Sequence, residues 1–171
     1  MRPMAFFIPD FFFANVLELT PDVLKSLGIR SLLLDIDSTI ITYRTRVLVP
    51  GTEEWLQTLK KAGISVCLLS NGHRKRVMDT ANLFHLPFVC HAFKPFPFGC
   101  LRAVTSLCFE RASTAVVGDQ LFADVLAGRL AGLKTILVRP VGLDEEPWFT
   151  ALKRPLERLV LRRTQNVPWK N

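Results

Sequence analysis

Apolar positions along this chain fall into two rhythms. Residues 31–36, 64–69, 114–117 and 135–138 are short, nearly unbroken apolar runs, and residues 88–90 form a shorter one. Runs of that length without alternation suit strands buried on both faces of a parallel sheet. Between them, apolar residues recur at helical spacing. Trp55, Leu56 and Leu59 mark a helix over residues 52–61, stopped by Gly63, and further helices are expected over 73–84, 101–109 and 121–130. Thr20 followed by Pro21 reads as a helix N-cap with proline at the first helical position, and Gly28 ends that short helix. Strands alternating with helices in this way predict an α/β fold, Rossmann-like, with a five-stranded and mostly parallel sheet.

In such sheets, ligands bind at the carboxyl ends of the strands. Here those ends carry Asp35, Ser70 and Asp119. Asp35 and Asp37 stand two positions apart where a buried strand runs out. Two carboxylates buried together are costly unless a cation compensates, and hard oxygen ligands suit Mg²⁺. A carboxylate can also attack phosphorus, and a neighbouring acid can protonate the leaving oxygen and later activate water. Taken singly, a pair of aspartates at a strand end is more often turn chemistry. Asp119 and Asp124 add two more carboxylates after the fourth strand. Ser70, Asn71 and Gly72 offer a hydroxyl, an amide and exposed N–H groups for phosphate oxygens, and Lys94 offers a point charge. Their joint order on these elements makes turn chemistry a poor account.

Composition adjusts the picture in three places. The chain has 171 residues with a formal charge of +7, and its residues 151–171 hold six basic side chains against Glu157. Such a tail suits an anionic partner, nucleic acid or membrane, and equally a solvated helix face. No apolar tract approaches the roughly 20 residues of a membrane span, and no signal-peptide pattern opens the chain. The four cysteines, Cys67, Cys90, Cys100 and Cys108, lack CxxC spacing and sit among apolar residues, which favours buried thiols over a zinc site.

The ordered set DxDxT, Ser-Asn, Lys-Pro and GDxxxxD resembles the four signature motifs of the haloacid-dehalogenase superfamily. The resemblance implies that Asp35 is the nucleophile, Asp37 the general acid/base and Lys94 the stabiliser of charge around the phosphoryl group. It places Thr39 in support of the first motif and beside the substrate with Ser70 and Asn71. It gives the Mg²⁺ site to Asp35, Asp119, Asp124 and the main-chain carbonyl of Asp37. A narrower resemblance, to the YqeG-type subfamily related to the mitochondrial phosphatidylglycerophosphatase, rests on the opening Phe-Ile-Pro-Asp, the Gly-Asp-Gln-Leu-Phe-Ala-Asp run and the basic C-terminus. It implies phosphatidylglycerophosphate as substrate and phosphatidylglycerol as product. Ser38 stands where many relatives have Asn.

The short spacings between motifs leave little or no room for a cap domain, which permits a membrane-bound head group. The expected organisation is an apolar N-terminal arm over 1–19, a phosphatase domain over 20–145 and a basic C-terminal helix or tail over 146–171. Phe6, Phe7, Ile8 and Phe11 to Phe13 crowd the arm, which either packs on the domain or meets an anionic membrane surface. Arg44, Arg46, His73 and Arg74 follow the first two motifs and suit the mouth of the site, Arg74 as a substrate-binding residue. The expected setting is the cytoplasm or an organelle stroma or matrix, peripherally membrane-associated and not secreted, with no nucleic-acid partner. The rival readings are a phosphatase for another phosphomonoester and a membrane-associated scaffold without turnover.

Overall fold

A computed structural model describes residues 7–142, together with position 155. Phe6 and the basic segment expected over 146–171 lie outside the described residues. Six strands form one all-parallel sheet: β1 (Phe11–Phe13), β2 (Ser31–Leu34), β3 (Ser65–Leu69), β4 (Phe88–Val89), β5 (Thr114–Gly118) and β6 (Lys134–Val138). Their spatial order is β1-β6-β5-β2-β3-β4. Five helices connect them: α1 (Pro21–Ser26), α2 (Thr52–Lys61), α3 (Arg74–Phe84), α4 (Phe98–Ser106) and α5 (Leu126–Leu130).

The α/β class is as expected, but the strand count is six. The extra strand is β1, which lies in the segment read as an arm. Phe11, Phe12 and Phe13 pair with Ile136, Leu137 and Val138. Asp10 anchors the junction: its carboxylate accepts from the Thr135 amide at 2.8 Å and pairs with Arg129 at 2.8 Å. Phe11 and Phe13 pack against the larger core and Phe12 against Leu121, Val125 and Leu137, while Phe7 meets Phe122 edge-on at 5.2 Å. These phenylalanines pack on the domain and remain partly exposed.

Strand alternation splits the core in two. Leu32, Leu34, Val66, Leu68, Ala115 and Val117 face α1, α2 and α3. Leu33, Cys67, Leu69 and Val116 face α4 and α5. Trp55 closes the first layer by donating its indole N–H to the Leu19 carbonyl at 2.9 Å. The chain leaves β2 toward β3 on one side and returns through β5 on the other. The sheet therefore has its topological switch point between β2 and β5, where a crevice opens at the strands' carboxyl ends. Among the described residues only a loop with two isolated bridges separates Asp37 from α2, and only α3 separates β3 from β4, so no cap domain is inserted there.

Candidate active site

The switch point brings Asp35, one residue past β2, beside Asp119, one residue past β5. The Asp35 amide donates to the Val117 carbonyl at 2.9 Å, which ties the two strand ends together. Asp35, Asp119 and Asp124 are all buried, and their carboxylate oxygens lie within 4.8 Å of one another. Lys94 enters from the loop after β4. Its Nζ lies 2.5 Å from Asp35 Oδ1 and 2.6 Å from Asp124 Oδ1, and it donates to the Leu69 carbonyl at 3.0 Å. All three ammonium protons are thus used, and the lysine cannot turn away without stranding a buried charge. Thr39 Oγ1 lies 3.3 Å from Asp35 Oδ2 and 3.4 Å from Asp119 Oδ1, bridging the first and last motifs.

Burial lifts the Asp35 carboxyl well above the usual carboxylate range. Lys94 opposes this, while Asp124, Asp119 and Asp37 add to it. Burial also disfavours the Lys94 ammonium, but Asp124 and Asp35 outweigh it and keep the lysine charged. Three carboxylates against one ammonium leave two formal negative charges in a buried cluster. Hard oxygen donors with that surplus fit a divalent cation such as Mg²⁺. Asp35, Asp119 and Asp124 would hold it.

Two local features make this cluster possible. A Cβ on Gly118 would sit 2.2 Å from Asp124 Cγ, so only glycine lets the Asp124 carboxylate fold back over the end of β5. There its Oδ2 accepts from the Gln120 amide at 3.1 Å. Ser38 adopts φ +59°, turning the loop so that its amide donates to the Ile41 carbonyl. That left-handed conformation is one that Asn tolerates better than most residues, which gives a physical sense to Asn at this position in relatives.

Ser70 and Asn71 follow β3, beside the cluster. Ser70 Oγ accepts from the Gly72 amide at 3.0 Å. The Asn71 side chain, expected beside the phosphoryl group, brackets the main chain of Lys94. Asp37 points toward the mouth, where Arg46 pairs with it at 2.6 Å and Arg76 pairs with its other oxygen. Of the basic residues expected at the mouth, Arg46 therefore reaches the site. Arg74, expected at the mouth, lies over the Phe88 ring at 5.6 Å, and Arg76 pairs with Asp37. Arg76 belongs to none of the expected motifs, and it reaches Asp37 only through the way α3 rises from the turn at Gly72. His73 and His91 stack edge to face at 5.7 Å. Phe93, Phe96 and Phe98 flank Lys94 in sequence and are each more than half exposed, with the last two rings stacked at 5.9 Å. Asn71, His91, Phe93, Lys94 and Phe96 line an open cavity of about 310 Å³.

The haloacid dehalogenase-like hydrolase family model matches residues 9–132. The chain belongs to that family. Within it, the chain is 33% identical to the "Probable phosphatase YqeG" of Bacillus subtilis (strain 168) over 167 residues, covering 96% of both chains, so the narrower resemblance extends across the molecule. The fold is also that of a hydrolase from Streptococcus pneumoniae TIGR4, at TM-score 0.56 and 15% identity over 76% of this chain and 99% of that one. It is likewise that of the deoxy-D-mannose-octulosonate 8-phosphate phosphatase of Haemophilus influenzae, at TM-score 0.55 and 13% identity over 79% of this chain and 88% of that one. The Asp35 cluster is the candidate site of this family hydrolase, with Arg46 and Arg76 paired to Asp37 beside it.

Proposed function

We propose that this family hydrolase is a Mg²⁺-dependent phosphomonoesterase that passes the phosphoryl group through Asp35, and that its substrate is phosphatidylglycerophosphate. The observation that carries the chemistry is the pairing of Asp35 with Lys94, two residues ahead of Asp37. An Asp35 carboxylate oxygen attacks phosphorus, the bond to the leaving oxygen breaks, and Asp37 in its protonated form gives that oxygen its proton. Asp37 then takes a proton from water, the water oxygen attacks the aspartyl-phosphate, and inorganic phosphate leaves as the Asp35 carboxylate is restored. Lys94 holds Asp35 in place and offsets the charge of the phosphoryl oxygens. When bound, Mg²⁺ supplies further charge neutralisation for those oxygens.

The lipid part of the reading is supported by the mouth. Phe93, Phe96 and Phe98 are exposed, Phe93 and Phe96 line a cavity with Lys94 and His91, and His91 meets His73 just before the basic start of α3 with Arg74, Lys75 and Arg76. Aromatic rings beside cations suit the interface of an anionic membrane. The absence of a cap among the described residues leaves the site open to a head group still attached to its bilayer. Among the same residues no helix is long and apolar enough to cross a membrane, so contact with the bilayer would be peripheral. The test is phosphate release from phosphatidylglycerophosphate in mixed micelles, with Mg²⁺ or EDTA, for wild type and Asp35→Asn. Release that requires Mg²⁺, vanishes in the variant and exceeds that from soluble phosphomonoesters is expected. Equal or faster cleavage of soluble phosphates would overturn the lipid assignment and leave the chemistry standing. Absence of turnover on every phosphomonoester would favour a scaffold.

A further inference from the structure

Asp37 is held by two guanidiniums at once. Arg46 takes one carboxylate oxygen at 2.6 Å and Arg76 the other. One carboxylate neutralises one of them, so the trio carries a formal surplus of +1. It sits at the mouth above a buried cluster whose surplus is negative. The arginine side chains are 32% and 37% exposed, a setting in which ion pairs contribute little to stability and open readily. Arg76 lies over the turn that follows Ser70, its Nη2, Nε and Cζ 2.6, 3.1 and 3.2 Å from where a Cβ on Gly72 would be. Two planar donor forks on the two oxygens of one carboxylate, one of them above the turn after Ser70, form an arrangement that can receive another oxyanion.

We infer that Arg46 and Arg76 form a second anion subsite, which Asp37 fills when substrate is absent. Its ligand is another anionic group on the same substrate, a phosphodiester flanking the phosphomonoester. The inference rests on the phosphatase reading above and adds substrate selection to it. A substrate with that second group takes over both arginines and displaces the Asp37 carboxylate from them. A substrate with one phosphomonoester and nothing further leaves Asp37 engaged.

The test compares two lipids in the same Mg²⁺-containing micelles: phosphatidylglycerophosphate, which carries the second phosphate, and phosphatidic acid, which does not. Wild type should prefer the first in kcat/KM. Arg46→Ala, Arg76→Ala and Gly72→Ala should each cut that preference by about tenfold or more, the loss of a charge-assisted bidentate contact. Gly72→Ala retains every charge and asks its Cβ to displace only the tip of a flexible side chain, so it separates lost placement from lost charge. A preference unchanged in all three variants would overturn the subsite. A binding arm, with the soluble head group glycerophosphoglycerophosphate and Asp35→Asn protein, is independent of turnover. Weaker binding on adding Arg46→Ala supports the subsite even if no substrate is cleaved, and unchanged binding refutes it.

Discussion

The carboxamide of Asn71 closes on the main chain of Lys94 from both sides, accepting from its amide at 2.8 Å and donating to its carbonyl at 2.9 Å. Asn71 is itself exposed, while Lys94 is buried, so the loop after β4 is pinned from outside so that the lysine can reach Asp35 within. Asn71→Ala should lower kcat by about 10²-fold, the scale expected when a reacting group is misplaced by an ångström. Asn71→Asp keeps the acceptor and loses the donor, so it should fall between the two. A steady-state comparison of the three proteins decides it, and equal kcat values would remove this role.

The clearance at Gly118 makes a second prediction. Gly118→Ala must push Asp124 out of the cluster, since the clash is with carboxylate atoms wedged against the end of a strand. The variant should lose most activity and, more tellingly, most of the rise in melting temperature that Mg²⁺ gives wild type. Ligand stabilisation scales with binding to the folded state, so a metal that no longer binds no longer stabilises. Thermal denaturation with and without Mg²⁺ reads this out, and a full metal-dependent rise in the variant would contradict it.

The phenylalanines at the mouth predict a dissociation of two activities. Replacing Phe93 and Phe98 by serine should lower turnover of micellar lipid several-fold more than turnover of p-nitrophenyl phosphate, because only the first requires an interface. Parallel losses on both substrates would mean that these rings shape the site rather than meet a surface.

The cysteines predict both reactivity and pH dependence. Burial pushes the Cys67 and Cys100 thiols up to about 12, whereas Cys108 is exposed and Cys90 is half-buried. Native protein at pH 8 should therefore label rapidly at Cys108, more slowly at Cys90, and at the other two only on unfolding. The folded values of Cys67 and Cys100 lie above the unfolded one. Their contribution to stability is thus intact below about pH 9 and lost as the pH climbs toward about 12. Each accounts for up to about 1.4 kcal/mol per pH unit in that window. Urea denaturation at pH 8 and pH 10 should show the decline, with a shallower one in Cys67→Ala.

Much of this architecture is written locally. The buried strands β2, β3, β5 and β6 stand out as apolar runs because both of their faces are covered, and α2 has the bounds that its Trp55–Leu59 stripe and Gly63 stop predict. Three features are written elsewhere. The strand β1 has a partner 125 residues away in Phe11↔Ile136, so nothing near it in the chain marks it as a strand. Helix α4 begins at Phe98 and ends at Ser106, three residues before the expected span at each end. Pro97 caps its start, and the left-handed Cys108 stops it two residues past its end. The stretch read as one helix over 121–130 opens with a wider π turn over Leu121–Val125, which sets Asp124 against Lys94. The acidic cluster was legible from motif order. The engagement of Asp37 by Arg76 was not, because it depends on how α3 rises from the turn at Gly72.

The pairing of β1 with β6 also governs how the molecule is made. Among the described strands the first in the chain docks against the last, so Phe11, Phe12 and Phe13 wait without their neighbours until residues 134–138 have been made. During that interval three adjacent phenylalanines are open to non-native association, the hazard of late long-range pairing. The β1 strand that covers the edge of β6 is thus made early and paired late.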